Sequence, residues 1–417
     1  MTEMNPLLPM LSDQPAEDDR LNFDPYAKTL AEIVSDPTTR TPLTIGVFGD
    51  WGYGKTSLMQ MVRKRLRATE GTDFPVQAVW FNAWLYSREQ ALWRALIARV
   101  LAGARQFLTL AAAQLTQLER LESRLYQAAE VENGALTLPP DVIPELPSAS
   151  LPARAGLELW RRQALRQETA PARVQRVEEL IADVEASYAL TQRARLVALD
   201  DFRDEFESLS KTCVAPHGRL VVFVDDLDRC LPDKAVEVLE AIKLFLDAPG
   251  FIFVLGLDRA VIEEGIRVRY KEYATQIEGA RYLEKIIQLP FNLPPIDAHA
   301  LTDYIHNETA GTLPDPRCET VFGVGLEPNP RRIKRTLNVF LLLWRLAQNR
   351  EELHAAIQPV RLAKIVIIQQ YYPRLFALIA QGPHYLIDLE KRFRETRGGE
   401  GEMGRGGDKG TGRGGEG

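Results

Sequence analysis

The segment FGDWGYGKTSLMQ, residues 48–60, constrains this chain more than any other, because few backbones can carry it. An apolar run, Leu43–Phe48, precedes it and a helix-compatible run, Thr56–Arg67, follows. Gly49, Gly52 and Gly54 crowd the join, and Lys55-Thr56 completes the pattern G-x-x-x-x-G-K-S/T. Glycine reaches positive φ without steric cost, so such a loop turns its N–H groups inward and forms an anion-binding nest. The helix that starts here adds free N–H groups and the positive end of its dipole. In this arrangement Lys55 reaches the β- and γ-phosphates, and Thr56 ligates Mg²⁺ through its hydroxyl. Gly49, Asp50, Trp51, Gly52, Tyr53, Gly54, Lys55, Thr56 and Ser57 are therefore expected to line the phosphates of a nucleoside triphosphate.

Four more apolar runs lack polar alternation, as strands buried on both faces do. They are Val76–Phe81, Leu220–Val224, Phe251–Leu257 and Ile286–Leu289, with helical stretches such as Gln90–Ala104 and Ala235–Leu246 between them. Alternating strands and helices imply a parallel sheet covered on both faces, so the fold class is α/β with a three-layer core. Residues 103–200 break the rhythm with amphipathic stretches, LTQLERLESRLYQAAE and RVQRVEELIADVEASYALTQRARL, split by a proline-rich break. They read as a helical, coiled-coil-like insertion in a core spanning 21–295, either a solvated arm or an oligomerising, partner-binding one. Residues 296–396 read as a C-terminal helical region. The acidic, proline-bearing stretch 1–20 and the glycine-dominated stretch 397–417 are expected to lack structure.

Charge and composition exclude some classes. With 51 basic against 57 acidic residues the net charge is −6, which gives no bulk case for nucleic-acid binding, although local patches stay open. The three cysteines and five histidines show no metal-ligand spacing, and unpaired cysteines suit a reducing, cytoplasmic compartment. No apolar run reaches membrane-spanning length and the N-terminus lacks a signal-peptide pattern, so no integral membrane span is expected.

The string RLVVFVDDLDRC, residues 219–230, supplies a second half for the phosphate loop. An apolar strand ends in Asp225, placed to hold Mg²⁺ beside Thr56. Asp226 follows, either polarising the attacking water or merely capping the next element. Asp228 and Arg229 form a local ion pair or face a neighbouring subunit. Asp258, at the end of the fourth run, is a γ-phosphate sensor or the N-cap of the next helix. In NPRRIKRTLN, from Asn329, Arg331 and Arg332 open a basic helix. They either reach the nucleotide, Arg332 in a catalytic role and Arg331 in binding, or belong to a solvated or nucleic-acid-facing helix. Trp80, Trp84, Tyr86 and Trp93 read as core aromatics in preference to a base-stacking platform, and Asn82 is a possible polar contact near the γ-phosphate.

Together TIGVFGDWGYGKTSLM, AVWFNAWLYSREQALWRALI, LVVFVDDLDRC, LEKIIQLPFNLPP and NPRRIKRTLN resemble the KAP P-loop NTPases, a STAND-like branch of the ASCE division. The resemblance covers roughly residues 21–60, 74–100 and 200–345. It implies a sheet ordered 5-1-4-3-2, adenine as the base, and ATP-dependent switching in signalling or anti-phage defence. Membrane helices found in the insertion of many relatives are not matched here, because this insertion is polar. Three functions follow for weighing. The first is a slow Mg²⁺-dependent ATPase acting as a conformational switch, with a protein partner or a homo-oligomer. The second is a nucleotide-holding scaffold with little hydrolysis. The third, a small-molecule kinase, lacks any acceptor-pocket or lid signature.

Overall fold

A computed structural model describes residues 10–15, 19–67, 74–88, 92–107, 114–123, 201–270, 279–296, 298–354, 356–382, 384–386, 388 and 391–392. The described residues form two compact units. A sheet unit holds 19 and 23–293, and a helical unit holds 10–15, 20–22 and the residues from 294 onward.

The sheet unit begins with α1 (Asp24–Ser35), β1 (Leu43–Phe48), α2 (Lys55–Arg67), β2 (Val76–Asn82) and α3 (Leu92–Phe107). Helical pieces at 114–123 and 201–209 follow. The chain continues through β3 (Arg219–Asp225), α4 (Pro232–Phe245), β4 (Phe251–Leu257), α5 (Arg259–Arg269), α6 (Gly279–Ile286) and β5 (Leu289–Asn292). Its five strands pair in the order β2-β3-β4-β1-β5, every pairing parallel. This is the order 5-1-4-3-2 read from the other edge.

Both faces of the central strands are covered, and every residue of β3 and β4 is buried. That is why these segments read as unbroken apolar runs. On one face Leu220, Val222, Val224, Phe253 and Leu255 join a core with Leu96, Val100, Leu239 and Ile262 of the overlying helices. On the other lies α2, with Arg63 5.6 Å from the Trp80 ring centroid. Trp80 in turn stacks on Phe223. Trp93 packs against the core, whereas Trp84 is 52% exposed, so the four aromatics do not share one role.

The fifth strand starts later than its apolar run suggests. Leu283 and Ile286 are the buried face of α6, and β5 begins only at Leu289. As an edge strand paired to β1 alone, β5 alternates half-buried and exposed residues and so leaves no apolar run to read.

The helical unit contains α7 (Ala298–Thr309), α8 (Arg317–Gly325), α9 (Pro330–Gln348), α10 (Glu351–His354), α11 (Pro359–Tyr371) and α12 (Pro373–Gln381). Its core gathers Phe322, Phe340, Leu337, Ile305 and Val366. Asn329 opens α9 by accepting a hydrogen bond from the Arg332 N–H at 3.1 Å, with Pro330 in the first turn. Part of the stretch expected to lack structure is held here, since residues 10–15 and 20–22 belong to this unit. Of the expected insertion only 103–107 and 114–123 are described, and residues 397–417 lie outside the described residues. Among the described residues no helix is long and apolar enough to cross a membrane.

Gly103 lets α3 approach the sheet, since a Cβ there would run into the Val79 methyl. Helix propensity alone would make Gly103→Ala stabilising. We expect it to destabilise by about 1–3 kcal/mol from overpacking. Val79→Ala in the same chain should recover most of the loss in chemical denaturation.

Candidate functional site

Parallel register brings the C-terminal ends of the strands to one edge, with Phe48 opposite Leu257 and Asn82 opposite Asp225. The glycine loop joins β1 to α2 at this edge. Gly52 and Gly54 have φ of 87° and 100°, a region that strains other residues. Gly49 leaves room beside Leu293, whose side chain a Cβ there would meet at 2.9 Å. Asp50 and Trp51 are exposed, while Gly52, Tyr53, Gly54, Thr56 and Ser57 are half-buried.

Lys55 opens α2 and is 8% exposed. Its Nζ donates to the carbonyls of Gly49 at 2.7 Å and Asp50 at 3.2 Å, and lies 3.1 Å from Asp228 Oδ2. Both side chains of this ion pair are deeply buried, at 9% and 6% exposure. A local ion pair between Asp228 and Arg229, one of the two readings their sequence allows, is not formed. The two in fact have separate partners, because Arg229 Nε contacts Asp226 Oδ1 at 2.8 Å.

Thr56 Oγ1 donates to Asp225 Oδ1 at 3.0 Å. Burial, and then the charge of Asp226, push the Asp225 carboxyl up to about 6, against the lowering effect of the Thr56 hydroxyl. A hydroxyl and a desolvated carboxylate side by side are hard oxygen donors, a set that fits Mg²⁺. Among the described residues no group of three or more His, Cys, Asp and Glu is arranged to hold a metal. Phosphate oxygens and water would therefore complete the coordination of an ion held by Thr56 and Asp225.

Asp226 sits in the left-handed region, φ 56° and ψ 28°, which aspartate tolerates better than most residues. Its Oδ2 accepts from Asn82 Nδ2 at 2.8 Å. Asn82 uses its Oδ1 to accept from the Leu85 N–H at 3.3 Å, capping the 3₁₀ turn Ala83–Tyr86. Arg229 lies 5.4 Å from the Trp84 ring centroid. Asp226 is thus clamped by one side chain from β2 and another from its own 3₁₀ turn, Leu227–Arg229. Burial, with Asp226 and Asp228, also raises the Cys230 thiol to about 11, which keeps it protonated.

Asp258 caps α5, its Oδ1 accepting from the N–H groups of Ala260 at 3.1 Å and Val261 at 3.4 Å. Arg259 beside it lies 4.9 Å from the centroid of Phe48, the last residue of β1. Arg331 and Arg332 belong to the helical unit and are engaged there. Arg331 Nε is 3.7 Å from Asp13 Oδ2. Arg332 pairs with Glu327 and lies 5.2 Å from the Tyr371 ring centroid.

The glycine loop, its lysine and threonine, and the acidic end of β3 define a P-loop nucleoside-triphosphate-binding domain. Residues 23–347 match the KAP family P-loop domain, and the chain belongs to that family. It is 24% identical over 373 residues to the Phage T7 exclusion protein of Escherichia coli (strain K12), a match covering 78% of this chain and 42% of that protein. It is also 30% identical over 92 residues to NTPase KAP family P-loop domain-containing protein 1 of Homo sapiens, covering 21% of this chain and 15% of that one. The chain spans less than half the length of these curated relatives. Among solved structures it is similar to the Aeropyrum pernix ORC2 protein (ADPNP-ADP complexes), with a TM-score of 0.39 and 14% identity, over 87% of this chain and 73% of that one.

Two stability predictions follow from the charges. Lys55→Ala leaves Asp228 buried without its cation and should cost about 3–5 kcal/mol, most of it recovered in Lys55→Ala/Asp228→Asn. Asp225 works in the opposite direction. Its folded pKa of about 6 lies above the ordinary 3.8, so its ionised form opposes folding. The stability this group allows is present below pH 4 and is lost as pH rises through 6. Asp225→Asn should therefore stabilise the nucleotide-free protein at pH 8 by up to about 3 kcal/mol, a gain that vanishes towards pH 4. Denaturant titrations at the two pH values read this directly.

Proposed function

We propose that this chain binds ATP with Mg²⁺ at the glycine loop and hydrolyses it slowly, cycling between two arrangements of the turn Leu227–Arg229. The observation that carries this reading is the meeting of Lys55, Thr56, Asp225 and Asp226 at one sheet edge. The loop N–H groups and the start of α2 receive the phosphates. Lys55 exchanges Asp228 and two carbonyls for phosphate oxygens. Thr56 and Asp225 hold Mg²⁺, which supplies neutralising charge for the phosphates. Asp226 accepts the proton of the attacking water as its oxygen bonds to the γ-phosphorus and the bond to the leaving ADP oxygen breaks. For that step Asp226 must give up at least one clamp, Arg229 or Asn82. Gating of this kind suits a switch better than a rapid metabolic enzyme. Adenine as the base is the family's expectation. A role in anti-phage defence is supported by the name of the Escherichia coli relative, and a role in signalling is the family's expectation.

A scaffold reading, with ATP held and not hydrolysed, draws support from one feature. Both oxygens of Asp226 are engaged, by Asn82 and Arg229, so the carboxylate is held in contacts that a hydrolysing state would have to break. Phosphate release separates the two readings. Wild type should release phosphate slowly, and Asp226→Asn should retain ATP binding but lose about 100-fold or more in turnover. Turnover rising with protein concentration would place the hydrolysing state in an assembly. Equal turnover in both proteins would remove Asp226 from the chemistry, and bound ATP without phosphate release from wild type would establish the scaffold.

A further inference from the structure

The N-terminal segment was expected to be unstructured, yet the face of α9 reads it residue by residue. Asn338 addresses both backbone groups of Leu11. Its Oδ1 accepts from the Leu11 N–H at 2.7 Å, and its Nδ2 donates to the Leu11 carbonyl at 2.9 Å. A neighbouring β-strand would satisfy an extended residue in the same way. Lys334 Nζ donates to the Ser12 carbonyl at 3.2 Å, and Arg331 Nε lies 3.7 Å from Asp13 Oδ2. Residues 331, 334 and 338 share one helix face at helical spacing, so three successive peptide residues meet three successive turns. Leu11 and Leu21 pack against the apolar core of the helical unit.

A second anchor lies further along the segment. Glu308 of α7 is 3% exposed at its side chain, where a lone carboxylate would be costly. Lys334 approaches its Oε1 at 3.3 Å, and Arg20 of the N-terminal segment approaches its Oε2 at 2.9 Å. The buried acid is therefore compensated from both the helix and the segment.

We propose that the α9 face bearing Arg331, Lys334 and Asn338 is a docking surface for an extended peptide of the form apolar–x–Asp, and that its occupant is this chain's own residues 10–15. Recognition rests on backbone hydrogen bonds and one partly exposed ion pair, contacts that are individually weak and exchangeable. The tether compensates for that weakness. If being part of the same chain gives the segment an effective concentration on the order of 1 mM, a site with a free-peptide Kd near 0.1 mM would be about nine-tenths filled. The docked segment leads directly into α1. Asp19 accepts from the N–H groups of Phe23 at 2.9 Å and Asp24 at 2.8 Å, and Asp24 pairs with Arg65 of α2, the helix that begins at Lys55. The proposal does not depend on what happens to the nucleotide.

The test uses the full chain and a fluorescein-labelled peptide of residues 8–15, LPMLSDQP. Leu11→Pro/Asp13→Arg removes the donated N–H and reverses the ion pair, which undocks the segment while leaving α9 intact. This variant should bind the peptide at least about 10-fold more tightly than wild type, whose surface is already filled. Adding Asn338→Ala should return binding to the wild-type level. Hydrogen exchange provides an independent reading in unlabelled protein. The Leu11 amide should exchange at least about 10-fold more slowly than in an unstructured chain, and Asn338→Ala should abolish that protection while leaving the β3 and β4 amides unchanged. Equal peptide binding by wild type and the undocked variant, indifference to Asn338→Ala, or an unprotected Leu11 amide in wild type would each overturn the proposal.

Discussion

Three carboxylates, Asp225, Asp226 and Asp228, crowd the buried end of β3, and two cations answer them, Lys55 and Arg229. Much of the site can be understood from this imbalance. Asp228 takes Lys55 and Asp226 takes Arg229, while Asp225 is met by the Thr56 hydroxyl and the Asp226 N–H and keeps a raised pKa. Among the described residues Asp225 has no cation beside it, and it accepts from the hydroxyl of Thr56, the residue proposed to share a metal ion with it. Binding of a divalent ion there would supply the missing charge, and arrival of phosphates would draw Lys55 from Asp228. Under the proposed function, ATP binding would exchange the Lys55–Asp228 pair, and hydrolysis would require Asp226 to release Arg229 or Asn82.

The fold delivers these groups by register. Parallel pairing of β1 with β4, β4 with β3 and β3 with β2 ends four strands at one edge, where the glycine loop, Asp225 and Asn82 converge. The unbroken burial of β3 and β4 keeps that edge rigid, and Gly49 allows the exit of β5 at Leu293 to lie against the loop. Arg229 connects the site to Trp84, whose indole is half exposed.

Much of this was legible in the sequence. β3 and β4 are buried on both faces and so appear as apolar runs, and the glycine loop is a local pattern whose chemistry needs no distant residue. What escaped was non-local or half-buried. β5 is an edge strand with alternating exposure, and the apolar residues before it belong to α6. The partner of Asp228, Lys55, opens α2 far away in sequence, while sequence proximity offered only Arg229 or a neighbouring subunit. Asp226 and Arg229, at helical spacing, were a pair that local reading could have found. Residues 10–15 are polar and proline-bearing, and only the face of α9 reveals what holds them. Asp258 was weighed both as a sensor and as a cap, and its carboxylate is engaged in capping α5.

The central claim is that Lys55 and the loop around it bind a nucleoside triphosphate. Calorimetric titration of ATP with Mg²⁺ tests it most directly, comparing wild type with Lys55→Ala/Asp228→Asn, in which loss of the cation does not strand a buried acid. The account predicts one site per chain in wild type and an affinity at least about 10-fold weaker in the double variant, equivalent to about 1.4 kcal/mol or more. Equal affinity in the two proteins, both folded, would contradict it.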